Sequence, residues 1–263
     1  LEPSGRLGSD YWSYCAERLA ALAAIPVGAA VLDVGTFDGN VLFKVLKKAG
    51  ARGRGMGIDV DPDGLGGGIA EAINDGWRHV AFAQMDAAHL GLGSESYDWV
   101  LANFVGWDYC FDFERMAFTA PDTRLAEIRR VLKPGGRVGL GFWVEQSDIE
   151  WMASACKRYL NQVAAAAGKP IACYAKETPQ GYEAILGQGG FHNIGVQVEK
   201  TTFVCPDAAT WWRQMKQVAR ECFEEMPGIE RFQEQIFADL GQFQSPQGIA
   251  FDKIVAYAFG TKP

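Results

Sequence analysis

Between Ala30 and Gly50 the pattern of apolar and polar positions changes period once. Ala30, Val31, Leu32 and Val34 form a short apolar run of the kind buried on both faces of a parallel sheet, interrupted by Asp33. Beyond Gly39, Val41, Leu42, Val45 and Leu46 recur on one helical face, with Lys44, Lys47 and Lys48 opposite and Gly50 where a C-terminal glycine belongs. Gly35 and Gly39 bracket the turn between them, where backbone can approach a ligand closely or take positive φ. The pattern predicts strand, glycine turn, helix. A carboxylate near the end of a buried strand is costly unless it is hydrogen-bonded or aimed at a ligand cation. Asp33 is therefore the first candidate for function.

The same alternation runs on both sides of this unit. Residues 9–24 read as a helix, capped by Ser9 or Asp10 and stopped by Pro26. Residues 57–60 make a second strand ending in the acid Asp59, followed by the turn 61–64 and a glycine-weakened helix over 66–75. A third strand over 79–85 leads to Asp86 and Ala87, and a fourth covers 99–104. An aromatic loop over 106–118 follows, then a helix begun by Asp122 or Thr123 and ended by the Lys-Pro-Gly-Gly of 133–136, then a fifth strand over 137–144. Such alternation specifies an α/β sheet with right-handed crossovers. The second half is less regular: helices over 149–167 and 178–187, a strand over 191–204, a helical insertion over 207–241 rich in large side chains, and a closing strand over 249–259.

Composition narrows the classes. The net charge of −7, from 25 basic and 32 acidic residues with no basic run beyond pairs, argues against a nucleic-acid partner. No window of 18 apolar residues and no basic segment followed by an apolar core occur, so neither a membrane span nor a signal peptide is expected. Six cysteines without a C-x-x-C pair suit reduced thiols in a cytoplasmic enzyme, with no metal site. A length of 263 residues fits one domain with an embellishment.

Five pieces in order then resemble the class I S-adenosylmethionine-dependent methyltransferases. They are V-L-D-V-G-T-F-D-G at 31–39, G-I-D-V-D at 57–61, Q-M-D-A-A-H-L at 84–90, Y-D-W-V-L-A-N-F at 97–104 and L-K-P-G-G-R-V at 132–138. The resemblance implies a Rossmann-like, doubly wound, seven-stranded and mostly parallel sheet whose last strand is antiparallel, plus a helical lid. It implies one methyltransferase domain: an N-terminal lid helix within 1–27, a cofactor-binding core over 28–144, and a C-terminal half over 145–263 with a cap insertion at 207–241. The implied cofactor is S-adenosylmethionine. Asp33 would help to hold its amino-acid end, the turn of Gly35, Thr36, Phe37, Asp38 and Gly39 would pass beneath it, and Asp59 would accept the ribose hydroxyls. Val60 would lie against the adenine, Asp86 and Ala87 would meet its edge, and Ala102, Asn103 and Phe104 would run past the methionine portion. Phe37 departs from the family, which has a glycine there.

The implied reaction is in-line displacement onto a nucleophile, for which a general base is optional. Asp108, Tyr109 and Glu145 are the candidates, because they follow strands four and five at the carboxyl edge where open α/β sheets bind ligands. The motifs of nucleic-acid, glutamine and arginine methyltransferases are missing, and what is left resembles the ubiquinone/menaquinone-biosynthesis type. Tyr11, Trp12, Trp107, Tyr109, Trp143, Trp211 and Met215 would line an apolar pocket. The expectation is a small hydrophobic or aromatic acceptor, methylated on oxygen rather than nitrogen or carbon, with a homodimer left open. Two other readings stand beside it. A nicotinamide-dependent oxidoreductase would want G-x-G-x-x-G where this chain has G-T-F-D-G. A non-catalytic binding or regulatory protein on the same fold is the stronger rival.

Overall fold

The computed structural model describes residues 6–7, 11–163, 177–224 and 226–263. In order these form β1 (Arg6–Leu7), α1 (Tyr11–Ala23), β2 (Ala30–Val34), α2 (Asn40–Ala49), β3 (Arg54–Asp59), α3 (Pro62–Asn74), β4 (Val80–Gln84) and β5 (Tyr97–Asn103). A hairpin of β6 (Phe111–Asp112) and β7 (Ala117–Phe118) precedes α4 (Thr123–Val131), β8 (Leu132–Gln146), α5 (Ser147–Gln162) and α6 (Pro179–Gln188). The chain continues through β9 (His192–Cys205), α7 (Ala208–Val218), α8 (Arg220–Glu224), α9 (Ile229–Asp239), β10 (Gln244–Ser245) and β11 (Gly248–Thr261).

Among the described residues the main sheet runs β1-β9-β11-β8-β5-β2-β3-β4, with β10 beside β11. Without the two-residue β1 and β10 it has the seven strands expected. Pairing is parallel from β8 through β5, β2 and β3 to β4, and the sheet as a whole is mostly parallel with an antiparallel strand, as the resemblance implies. Three elements differ most from expectation. Strand β8 begins at Leu132, so the Lys-Pro-Gly-Gly of 133–136 lies inside it instead of before a strand starting at 137. Helix α3 starts at Pro62 instead of residue 66, because Asp61 caps it by accepting from the Asp63 N–H at 2.9 Å and Pro62 fits its first turn. The aromatic loop contains the β6–β7 hairpin, too short to leave a period in the sequence. The caps Ser9 and Asp10 and the helix end at 164–167 lie outside the described residues.

The chain forms two compact units. The larger comprises Trp12–Val144, Lys176–Val198 and Val255–Pro263; the smaller comprises Leu1–Tyr11, Glu145–Ala175 and Glu199–Ile254. The larger unit's core is layered on the sheet: Leu32, Val100, Leu140, Phe142, Ile128 and Ile185 are all fully buried, and Phe142 stacks on Tyr182 at 3.6 Å. The smaller unit packs aromatic side chains on one another, Trp211 on Phe251 at 5.6 Å and Trp212 on Phe223 at 4.9 Å. It also buries an ion pair, Lys253 Nζ to Asp148 Oδ2 at 2.8 Å.

Candidate active site

The turn after β2 is held by its own backbone and by two acids. Gly35 and Gly39 take φ of 67° and 84°. The Gly39 N–H donates to Thr36 O at 2.8 Å, and the Thr36 N–H donates across to Ile58 O on β3 at 3.0 Å. The Thr36 hydroxyl donates to Asp33 Oδ2 at 2.7 Å, and the Asn40 N–H to Asp38 Oδ1 at 3.2 Å. Asp33 is buried, and its Oδ1 has no hydrogen-bond partner among the described residues. Burial raises its pKa to about 7 against the lowering effects of the Thr36 hydroxyl and of the Leu42 backbone N–H, with the charges of Asp59 and Asp38 adding to the rise. A Cβ at Gly35 would collide with Val105, so glycine is required there for space as well as for φ.

Phe37 also sits in the left-handed region, at φ 48°, with its ring over half exposed and laid against Gly64 of α3, where any side chain would meet it. Its N–H donates to Asp59 Oδ2 at 2.8 Å, while Asp59 Oδ1 accepts from the Asp61 N–H at 3.0 Å. The bulky residue is thus accommodated outward, and its amide joins the turn to the acid at the end of β3. Asp86 Oδ1 accepts from the Ala88 N–H at 2.8 Å, which tightens the loop after β4.

Parallel register brings these strand ends to one cleft of about 370 Å³ in the larger unit. Gly35, Asp59, Val60, Asp86, Ala87, Asn103 and Phe104 line it, together with Val34, Ile58, Met85, Val105 and Arg124. Asp33 and Ala102 lie behind this surface as buried residues. Asn103 Oδ1 is buried and has no partner among the described residues, and it occupies the space a side chain at residue 141 would need, which fixes Gly141. Phe104 has φ 61°, its N–H donates to Gly141 O at 2.7 Å, and its ring stacks on Trp143 at 3.9 Å. Trp12 meets both rings edge-on, at 5.4 and 5.6 Å.

The other acceptor-side residues are spread more widely than expected. Trp107 is a core side chain, 1 % exposed, donating from Nε1 to Asp122 Oδ2. Tyr11, Trp211 and Met215 are buried within the smaller unit, which also contains Glu145. Asp108 and Tyr109 are exposed in the larger unit. Although most of the side chain is exposed, partial desolvation and a hydrogen bond with Cys110 hold the Tyr109 phenol above its ordinary range, so the group stays protonated. The Arg124 guanidinium lies over the Tyr109 ring at 4.3 Å and the Trp107 ring at 4.6 Å, and donates from Nη2 to Gly106 O at 2.8 Å.

Two residues of this region were not singled out by the sequence reading. Arg124 had a signal: a cation in the first turn of a helix opposes the macrodipole and so asks for another reason to be there. Glu177 had none, because an acid directly before the cap Thr178 ordinarily faces water. It is buried instead and accepts from the Tyr182 hydroxyl at 2.9 Å.

Residues 25–220 match a family described as methyltransferase domain. The chain is 31 % identical over 193 residues to the ubiquinone/menaquinone biosynthesis C-methyltransferase UbiE of Methylococcus capsulatus (strain ATCC 33009 / NCIMB 11132 / Bath), covering 71 % of this chain and 72 % of that one. It is 29 % identical over 135 residues to aklanonic acid methyltransferase DauC of Streptomyces sp. (strain C5), covering 51 % of this chain and 56 % of that enzyme, little more than half its length. Its fold is similar to that of the YcgJ protein from Bacillus subtilis, with a TM-score of 0.60 and 17 % identity over 95 % of this chain and 98 % of that one. With the motif order, the sheet and the cleft in agreement, the chain belongs to the methyltransferase-domain family and is a class I S-adenosylmethionine-dependent methyltransferase.

Proposed function

We propose that the cleft of the larger unit holds S-adenosylmethionine and that the enzyme methylates a small, flat, apolar or aromatic acceptor on oxygen. The observation that carries this reading is the unpartnered Oδ1 of Asp33 behind a turn whose glycine leaves no room for a side chain. A buried carboxylate wants a cationic or N–H partner, and an amino-acid ammonium group is one.

In this reading Asp59 takes the ribose hydroxyls with the lone pairs left after the Phe37 and Asp61 amides. Val60 lies on the adenine face, Asp86 and Ala87 meet its edge, Ala102 to Phe104 pass the methionine portion, and residues 35–39 form the floor. The bound cofactor supplies a methyl group already activated by a positively charged sulfur. The chain's own share is alignment and dryness, and positioning of this kind contributes on the order of 7–11 kcal/mol. The Phe104–Trp143 stack with Trp12 beside it presents a flat apolar surface to the acceptor. Asp108, exposed on the loop after β5, is the candidate to receive the proton of a hydroxyl acceptor. Tyr109 stays protonated and so fits a hydrogen-bond donor better than a base.

Calorimetric titration with S-adenosylhomocysteine tests the cofactor half: micromolar binding with no binding of NAD is expected, and no binding would overturn it. A screen of phenols, hydroxyquinones and enolisable ketones with methyl-labelled cofactor tests the acceptor half. An O-methyl product is expected, and a C-methyl product would overturn the choice of oxygen.

A further inference from the structure

Glu177 is 9 % exposed, and no ion pair joins it among the described residues. Its Oε1 accepts from the Trp107 N–H at 3.3 Å and from the Tyr182 hydroxyl at 2.9 Å. Through Tyr182, whose ring stacks on Phe142 of β8 at 3.6 Å, one side chain just before α6 therefore ties the loop after β5 to the end of β8. Gly106 sits between two acids: a Cβ there would lie 3.1 Å from Glu177 Oε1 and 3.2 Å from Asp108 Oδ1. Trp143, which follows Phe142 on β8, carries the ring stacked on Phe104.

We propose that Glu177 is a positioning residue for methyl transfer: as a carboxylate it fixes the loop after β5 against the end of β8 and so sets the Phe104–Trp143 stack on which the acceptor lies. This rests on the reading of that stack as the acceptor wall. Ionised, Glu177 offers charge-assisted bonds to the Trp107 amide and the Tyr182 phenol. Protonated, it turns one acceptor site into a donor, and the amide and the phenol compete for what is left. The charged and titratable groups around it are Asp108 on the loop, Tyr182 on α6, and Arg124 on α4, whose charge acts on Tyr182. Burial, with the Asp108 charge adding to it, pushes the Glu177 carboxyl up to about 7 against those hydrogen bonds. Positioning is then complete above neutral pH and lost below it.

The test is near-ultraviolet circular dichroism of the ligand-free enzyme from pH 5.5 to 8.5, with S-adenosylhomocysteine affinity measured alongside. Wild type is expected to show a one-proton step near pH 7, diminished in Trp143→Phe and absent from Glu177→Gln. Asp108→Asn, which relieves the repulsion, should lower its midpoint by roughly half a unit to one unit. A flat wild-type profile, a step that survives Glu177→Gln or is undiminished in Trp143→Phe, or an unmoved midpoint in Asp108→Asn would each overturn the proposal. Failure of wild type to bind S-adenosylhomocysteine would instead count against the cofactor reading, because Glu177→Gln should keep that affinity within about threefold.

Discussion

The two units bury their hydrophobic residues by different rules. In the larger, parallel strands align their ends, so Asp59, Asp86 and Asn103 arrive at one cleft from distant points of the chain. In the smaller, large side chains on α5, α7 and α9 and on β11 fill space against one another, as Trp211 does against Phe251. Register fixes the first arrangement and side-chain volume the second. Damage to packing should therefore cost stability, and damage at the strand ends should cost ligand. The largest effect that tests this separation is Trp211→Ala. Truncating so large and fully buried a side chain should remove about 3–5 kcal/mol of unfolding free energy, read by denaturant titration. S-adenosylhomocysteine affinity should change by less than about threefold; a large loss of affinity in the folded protein would break the comparison.

In the proposed reading, Asp33 is where the cleft trades stability for binding. Its carboxyl has a pKa of about 7 in the folded chain against an ordinary value of 3.8, so folding favours the protonated form. The stability it contributes is fully present below the ordinary value and is lost as pH rises through about 7. Asparagine cannot ionise. Thermal unfolding from pH 4 to 9 should show Asp33→Asn gaining on wild type as pH rises, by up to about 4 kcal/mol for a shift of roughly three units. The same variant should bind S-adenosylhomocysteine at least about tenfold more weakly. Equal pH dependence in the two proteins would mean that the buried carboxyl is ionised throughout at no cost.

Asp59→Ala should act on ligand more than on folding. It leaves the Phe37 and Asp61 amides near solvent, which limits the stability cost to about 1 kcal/mol, while removing a charge-assisted acceptor worth about 1.5–3 kcal/mol to a bound hydroxyl pair. A rise in the S-adenosylhomocysteine dissociation constant of about 10- to 100-fold is expected by calorimetry, and an unchanged constant would remove Asp59 from the site.

The order of strands and helices and the acids at their ends were legible in the sequence because each depends on local period and on position along the chain. Asp33, Asp59 and Asp86 are strand-end residues, and parallel pairing alone brings such ends together. What was not legible depends on side chains meeting across long separations. Trp107 read as a pocket aromatic but is held in the core by Asp122, 15 residues on. Glu177 is buried with a bond to Trp107, 70 residues earlier, and nothing beside it in the chain announces that contact. The early start of α3 was local but hidden, since Asp-Pro-Asp-Gly serves equally as a turn and as a capped first helical turn.

The smallest expected effect concerns Phe37, the departure from the family's glycine. A left-handed φ costs a non-glycine residue about 1–2 kcal/mol, which Phe37→Gly would relieve. Glycine would in turn lose roughly 0.5–1 kcal/mol to backbone entropy, together with the ring's contact with Gly64. The two sides nearly cancel, so Phe37→Gly should leave the unfolding free energy within about 1 kcal/mol of wild type. It should also leave S-adenosylhomocysteine affinity within about threefold, because the Phe37 amide, and not its ring, reaches Asp59. Phe37→Val is the sharper probe: it keeps the demand for positive φ, which a β-branched residue meets badly, and supplies no ring to replace the lost contact. It should therefore be the less stable of the two variants by more than about 1 kcal/mol. If instead Phe37→Gly loses affinity and Phe37→Val keeps it, the ring is part of the cofactor surface and the turn is more than a backbone cradle.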